Sequence, residues 1–171
     1  RLTGARYHAA HLTTATSVEA VRRAKNEGLP VTADTSAPYF QLNELAVSTY
    51  SSAAKLNPPL RTEDDRQAIM AALADGTIDV IASDHVPVNP DMKHLPFSLA
   101  SCGASGLEVM LVMTLRLVLN DVISWQRAFE LLSLAPATIL DIPGGSLVVG
   151  TEADIVLIDP RTSWIVTGRD F

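Results

Sequence analysis

The alternation of short hydrophobic runs with amphipathic segments is the feature that most limits the fold of this chain. Strand-like runs occupy residues 6–12, 29–35 and 77–83, and a shorter candidate strand spans residues 54–60. The run TIDVIAS is apolar enough to be buried on both faces, as parallel strands are. Because strands that alternate with helices are joined by right-handed crossovers, the pattern predicts an α/β fold with parallel strands.

Helices are expected between and after these strands, and the one over residues 61–76 has clear end signals. Thr62 is a predicted N-cap, Asp65 completes a pattern similar to a capping box, and Gly76 follows the last turn. The full set of predicted helices covers residues 14–27, 61–76, 105–120 and 124–140.

The alternation of strand-like and helical segments ends after Pro143. The segment GSLVVGTEADIVLIDP, at residues 145–160, indicates two short strands around Gly150 with no helix between them. We therefore expect an α/β unit over residues 1–142 and a small β appendage over residues 143–171.

Composition excludes several classes of function. The chain carries 13 Lys and Arg residues against 19 Asp and Glu, a net charge of −6, and its basic residues are scattered, which argues against nucleic-acid binding. The single cysteine, Cys102, excludes an internal disulfide and suits a reducing compartment. The longest apolar run, between Glu108 and Arg116, is too short to span a membrane. The N-terminal residues lack the apolar core of a signal peptide, so a cytoplasmic protein is expected.

Polar side chains collect where the predicted strands end. His11, Asp34, Asn57 and Asp84 each follow or close one of the strand-like runs. In α/β folds the carboxyl ends of parallel strands meet on one face, and ligand sites lie on that face. The sequence therefore predicts a site there, although this convergence alone does not specify a reaction.

His8 and His11 form an HxxH pair, a spacing that resembles a metal-binding motif. On a strand, residues three apart point to opposite faces, so at most one of them is expected to face the site, and His11 is nearer the strand end. His11 is then either a metal ligand or substrate contact, or a histidine satisfied within the core.

Asp84 is the stronger candidate. A carboxylate that ends a hydrophobic strand is costly to bury unless it is paired, bound to metal or hydrogen-bonded. The alternative is an Asp that caps or forms a turn. The neighbouring His85 is expected either to pack against other side chains or to contact the site residues without touching substrate. Asn57 precedes two prolines and is alternatively a simple turn residue. Cys102 has no basic partner nearby in sequence, which weakens a nucleophilic role.

Taken together, these segments resemble dihydroorotases of the amidohydrolase superfamily. The matching pieces cover most of the chain in the right order: YHAAHLTTATSVEAVRRAKNEGLPVTAD, KLNPPLRTEDDRQAIMAALADGTIDVIASDHVP, GASGLE and GTEADIVLIDP. The resemblance implies the second half of a (β/α)8 barrel plus part of a β-sandwich. It also implies reversible, zinc-assisted hydrolysis of L-dihydroorotate to N-carbamoyl-L-aspartate in pyrimidine biosynthesis.

The resemblance also implies roles for individual residues. Asp84 matches the family's metal ligand and general acid/base at the end of the last barrel strand, and His11 matches a histidine ligand of a site that holds one or two zinc ions. Asn57 matches a substrate-binding asparagine. Cys102 and Gly103 fall where backbone groups contact the substrate.

The chain departs from the family's pattern at two further positions. Where the family reads TPHH, this chain reads SAPYF, which puts Pro38 at a zinc-ligand position. Where the family reads DHAPH, this chain reads DHVPV, which puts Val88 at the position of a substrate-binding histidine. Neither side chain can make the expected polar contact.

Length is a third departure. The family's HxH ligand pair and its arginine lie in an N-terminal half that has no counterpart here, and four strands cannot close such a barrel. We therefore expect a fragment whose open edge is completed by the missing half or by another copy, and we expect the isolated chain to be inactive.

Three hypotheses for function follow. The first is a zinc-dependent dihydroorotase with an altered ligand set. The second is a dihydroorotase-like protein that has lost catalysis and serves as an assembly partner of aspartate carbamoyltransferase. The third is another cyclic amidohydrolase, such as a hydantoinase or an allantoinase, although the motif NPPLR and the loop after Asp84 fit dihydroorotases better.

Overall fold

Three parallel strands form the centre of the computed structural model, which describes residues 2–163 and 165–167. The strands are β1 (Tyr7–Ala9), β2 (Val31–Ser36) and β3 (Val80–Ala82), in the order β1-β2-β3. His8 pairs with Thr32, and Asp34 pairs with Val80. The predicted α/β fold with a parallel sheet is thus confirmed.

Helices connect and follow the strands. The α-helices are α1 (Ala15–Asn26), α2 (Ala37–Gln41), α3 (Glu63–Asp75), α4 (Pro90–Lys93), α5 (Leu107–Leu119), α6 (Trp125–Phe129) and α7 (Ala135–Leu140). Two short 3₁₀ turns lie at Glu44–Val47 and Ser52–Ala54, and a π-helical turn at Glu130–Leu134 joins α6 to α7.

Local signals explain where the first long helices begin and end. Thr14 caps α1 in a reciprocal capping box with Ser17. The Thr62 hydroxyl oxygen accepts from the Asp65 amide at the start of α3, as predicted. The Asp65 carboxylate accepts from the Ala15 amide at 2.8 Å and thereby links the two helix starts. Gly76 ends α3 with a φ of 86°, a conformation that glycine adopts without strain.

The hydrophobic core lies between the helices and one face of the sheet. Ala33 of β2 and Ile81 of β3 point toward this core, where they meet fully buried side chains of α1, α3 and α5. These include Val18, Ile69, Leu73 and Leu117. The opposite face of β2 carries Thr32 and Asp34, so the two faces of one strand have different chemistry.

The prediction of a strand at residues 54–60 is wrong, because no strand forms there. This segment holds the end of a 3₁₀ turn and a bend with a cis peptide bond between Asn57 and Pro58. Consecutive prolines remove two backbone donors, which a strand inside a sheet would need. Pro38 lies in the first turn of α2, a position that proline favours.

The two strands predicted at residues 145–160 are likewise not formed. Apolar side chains of this segment are exposed, among them Val149 and Leu157. A strand requires a neighbouring strand for its backbone hydrogen bonds, and among residues 2–163 and 165–167 none pairs with this segment.

Within the part of the chain that the structure describes, no helix is long and apolar enough to cross a membrane.

Asp79 offers a direct test of how the sheet is held to α1. Its carboxylate accepts from the Ala33 amide at 2.8 Å and from the Lys25 ammonium group at 2.7 Å. Replacing Asp79 by Ala leaves the buried Ala33 N–H without this acceptor, so we expect the free energy of unfolding to fall by roughly 1–3 kcal/mol. Urea denaturation measures the change.

The matched control is Asp64→Ala, which removes an exposed carboxylate from the first turn of α3. We expect it to change the unfolding free energy much less than Asp79→Ala does. Equal changes in the two variants would contradict the role given to Asp79.

Candidate active site

The Asp34 carboxylate lies at the centre of the candidate site, beside the end of β1. Its side chain is 9% exposed. Its Oδ1 atom accepts from the His11 amide at 2.7 Å, and its backbone oxygen accepts from the Leu12 amide at 2.9 Å. These bonds fold the chain after β1 back over β2, and His11 adopts a φ of 56° in this turn.

Both histidines of the HxxH pair contact Asp34. His8 Nε2 lies 2.9 Å from Asp34 Oδ2, and His8 Nδ1 lies 2.7 Å from the Thr32 hydroxyl. His11 Nδ1 lies 3.3 Å from Asp34 Oδ1. The expectation that at most one of the two histidines faces the site is therefore wrong. β1 ends at Ala9, so the alternation of a strand does not extend to His11.

Asp84 follows β3 and faces the other side of the His11 ring. Its side chain is 17% exposed, and its Oδ1 atom lies 3.9 Å from His11 Nε2. The imidazole of His11 is thus placed between two carboxylates, with its buried Nδ1 atom making no hydrogen bond. As predicted from the strand ends, the fold brings His11, Asp34 and Asp84 together.

Tyr39 is a site residue that the sequence alone did not indicate. Its side chain is buried, and its hydroxyl donates to the Pro58 carbonyl at 2.9 Å. Burial, followed by the charge of Asp84, raises the pKa of Tyr39 well above its usual value, so the phenol remains a neutral donor. The available signal was its position directly after Pro38, since α2 turns this side chain toward the site.

The remaining predicted positions lie in loops near these residues. Asn57 is exposed in the bend before Pro58, and Cys102 is exposed. Gly103 donates its amide to the Lys55 carbonyl at 3.1 Å. Val88 is half-buried in the loop between β3 and α4. A contact of Asn57, Cys102 or Gly103 with substrate stays a prediction.

A metal ion would find two donors of this chain side by side, His11 Nε2 and Asp84 Oδ1. Imidazole and carboxylate suit zinc, which in catalytic sites takes three protein ligands. Pro38 supplies none, and within the described residues no group of three or more His, Cys, Asp or Glu side chains is arranged to hold a metal. The two donors therefore fit part of a metal site rather than a complete one.

Comparison with known sequences identifies close relatives. The chain is 50% identical over 162 residues to a dihydroorotase of Syntrophotalea carbinolica, covering 95% of this chain and 38% of that protein. It is also 50% identical over 171 residues to a dihydroorotase of Desulfotalea psychrophila, covering 98% of this chain and 41% of that protein. The chain spans about two fifths of the length of the curated relatives it matches.

Comparison with solved structures gives a consistent result. A D-hydantoinase structure superposes with a TM-score of 0.88 at 28% identity, covering 98% of this chain and 39% of that one. The L-hydantoinase of Arthrobacter aurescens superposes with a TM-score of 0.83 at 26% identity, covering 89% of this chain and 35% of that one. The family model for the amidohydrolase family matches residues 2–171. The chain thus belongs to the amidohydrolase family.

Proposed function

We propose that the protein carrying this chain is a dihydroorotase, which hydrolyses L-dihydroorotate reversibly to N-carbamoyl-L-aspartate. The observation that carries this proposal is the 43–50% identity to dihydroorotases across 93–98% of the chain. The convergence of His11, Asp34 and Asp84 supports it, because these residues lie where a hydrolytic site of this family is expected.

The identities favour this substrate over the ring amides of hydantoinases. Relatives named dihydroorotase reach 50% identity, whereas the superposed hydantoinases reach 28%. The hydantoinase structures therefore support the fold, and the dihydroorotase sequences support the substrate. The same names favour an enzyme over a protein that serves only in assembly.

The proposed chemistry assigns proton transfer to Asp84. Zinc, when bound, would act as a Lewis acid on the ring amide carbonyl. The Asp84 carboxylate then accepts a proton from the attacking water and delivers it to the leaving amide nitrogen. His11 lies against Asp84 and would hold the metal with it, while Asp34 accepts from the His11 backbone amide at 2.7 Å.

The substrate carboxylate is proposed to bind on the loop side of the site. Asn57 lies next to Pro58, whose carbonyl is held by the Tyr39 hydroxyl. Backbone groups of Cys102 and Gly103 would also contact the substrate on this side of the site. The side chain of Val88 offers no charge or hydrogen bond to a substrate carboxylate.

We further propose that residues 1–142 are the second half of a (β/α)8 barrel and that residues 143–171 are part of a β-sandwich. The match to only about two fifths of longer relatives supports this arrangement. The exposed apolar side chains of Val149 and Leu157 fit a segment that pairs with strands supplied from elsewhere in the protein.

Asp84→Asn tests the proposed proton transfer. The amide cannot carry the proton, so we expect kcat for dihydroorotate hydrolysis to fall by about 10²–10⁴ in the natural full-length polypeptide. The matched control is Asp91→Asn, an exposed carboxylate in the first turn of α4, which should leave kcat unchanged.

An active Asp84→Asn variant would contradict the role of Asp84. Absence of turnover in the unmodified protein, together with co-purification with aspartate carbamoyltransferase, would instead support the assembly-only hypothesis. Zinc bound in proportion to the protein, together with turnover, would contradict that hypothesis.

Tyr39→Phe tests the link between α2 and the substrate loop. The variant removes the donor to Pro58, and we expect KM to rise about fivefold, the equivalent of one hydrogen bond of roughly 1 kcal/mol. Because the pKa of Tyr39 is raised, the hydroxyl stays protonated, and the ratio of the two KM values should stay constant up to about pH 10.

Tyr50→Phe is the control for this change, since the Tyr50 ring is exposed and packs edge-on against Phe97. We expect its KM to match that of the unmodified protein. A KM ratio for Tyr39→Phe that collapses to one at alkaline pH would show that the phenol ionises, contrary to its buried position.

A further inference from the structure

The loop that carries Asp84 is fastened to the start of α5. The Val86 amide donates to the Ala104 carbonyl at 2.9 Å. At Gly106 a Cβ atom would lie 2.1 Å from the Ser83 carbonyl oxygen, and at Gly103 it would lie 2.6 Å from that of Val86. Side chains at these two glycines would therefore push the loop away from the helix.

His85 provides the side-chain hydrogen bonds between the Asp84 loop and the start of α5. α5 begins at Leu107, and its N-cap, Gly106, has no side chain to satisfy the first amides. His85 Nδ1 accepts from the Gly106 amide and from the Leu107 amide, each at 3.3 Å. Nδ1 is thus the acceptor, and the ring proton lies on Nε2.

Asp84 lies between two residues that are both tied to α5. Ser83 is packed against Gly106, and His85 is bonded to the helix start. Asp84 itself has a φ of 44°, a left-handed conformation that is unfavourable for a residue with a side chain. Contacts on both sides of Asp84 therefore impose the backbone turn that points its carboxylate at His11.

We propose that His85 is a positioning residue that fixes the Asp84 carboxylate by accepting hydrogen bonds from the N-terminus of α5. This inference rests on the proposed function, because Asp84 is the residue whose placement matters for turnover. A displacement of a catalytic group by about 1 Å can cost about 100-fold in rate.

Two amide substitutions separate this role from direct contact with substrate. In His85→Asn the side-chain oxygen takes the place of Nδ1, whereas in His85→Gln the amide group lies near the place of Nε2. In the natural full-length polypeptide we expect His85→Asn to keep kcat within about threefold, and His85→Gln and His85→Ala to lose about tenfold or more with KM little changed. His94→Asn, at an exposed histidine after α4, is the control and should match the unmodified protein.

The opposite ranking, with His85→Gln active and His85→Asn inactive, would overturn the proposal in favour of a contact through Nε2. Unchanged kcat in His85→Ala would overturn it as well. A fall in thermal stability without a fall in kcat would indicate a helix cap with no effect on Asp84.

Amide hydrogen exchange tests the contact independently of turnover. We expect the amides of Gly106 and Leu107 to exchange faster in His85→Ala than in His85→Asn. If the unmodified protein shows no dihydroorotate hydrolysis but this difference is present, the proposed function fails while the fastening of the loop stands. Equal exchange in both variants would overturn the fastening itself.

Discussion

The Asp34 carboxylate is almost entirely removed from water, and a charge in such a place must be compensated by hydrogen bonds. The carboxylate makes one hydrogen bond with the His11 backbone amide at 2.7 Å and one with the His8 Nε2 atom at 2.9 Å. Satisfying this single group therefore bends the chain after β1 and brings an imidazole over the ends of the strands. The position of His11 relative to Asp84 is a consequence of that bend, because the two side chains are 3.9 Å apart and share no hydrogen bond that could set it.

Sequence was a good guide where the determining interactions are local. Thr14 and Thr62 cap helices through amides three residues away, and Gly76 ends α3 through its own backbone conformation. The placement of Asp84 followed from parallel pairing, since the strand ends of such a sheet lie at one edge, and Asp34 lies two residues before the end of β2.

Sequence was a poor guide where distant segments decide the outcome. The hydrophobic run at residues 145–160 has strand-like composition, but strand formation depends on a partner that composition does not supply. His8 joins the site because it pairs with Thr32 and thus lies diagonally across from Asp34, a relation set by register. Tyr39 contacts Pro58 across 19 residues of sequence, which no local pattern reveals.

Pro38 stands where the resemblance to dihydroorotases implies a zinc ligand, and the contacts that hold the other site residues do not involve it. His11 is placed by Asp34, and Asp84 is placed by its neighbours on α5, so neither depends on the side chain at residue 38. Proline in the first turn of α2 favours that short helix and presents the next residue, Tyr39, to the Pro58 loop. Residue 38 thus contributes a helix start in this chain, and the buried hydroxyl belongs to its neighbour Tyr39. Hydrogen bonds within the chain therefore set the positions of His11 and of the loop that carries Asp84, and this arrangement does not require a polar side chain at residue 38.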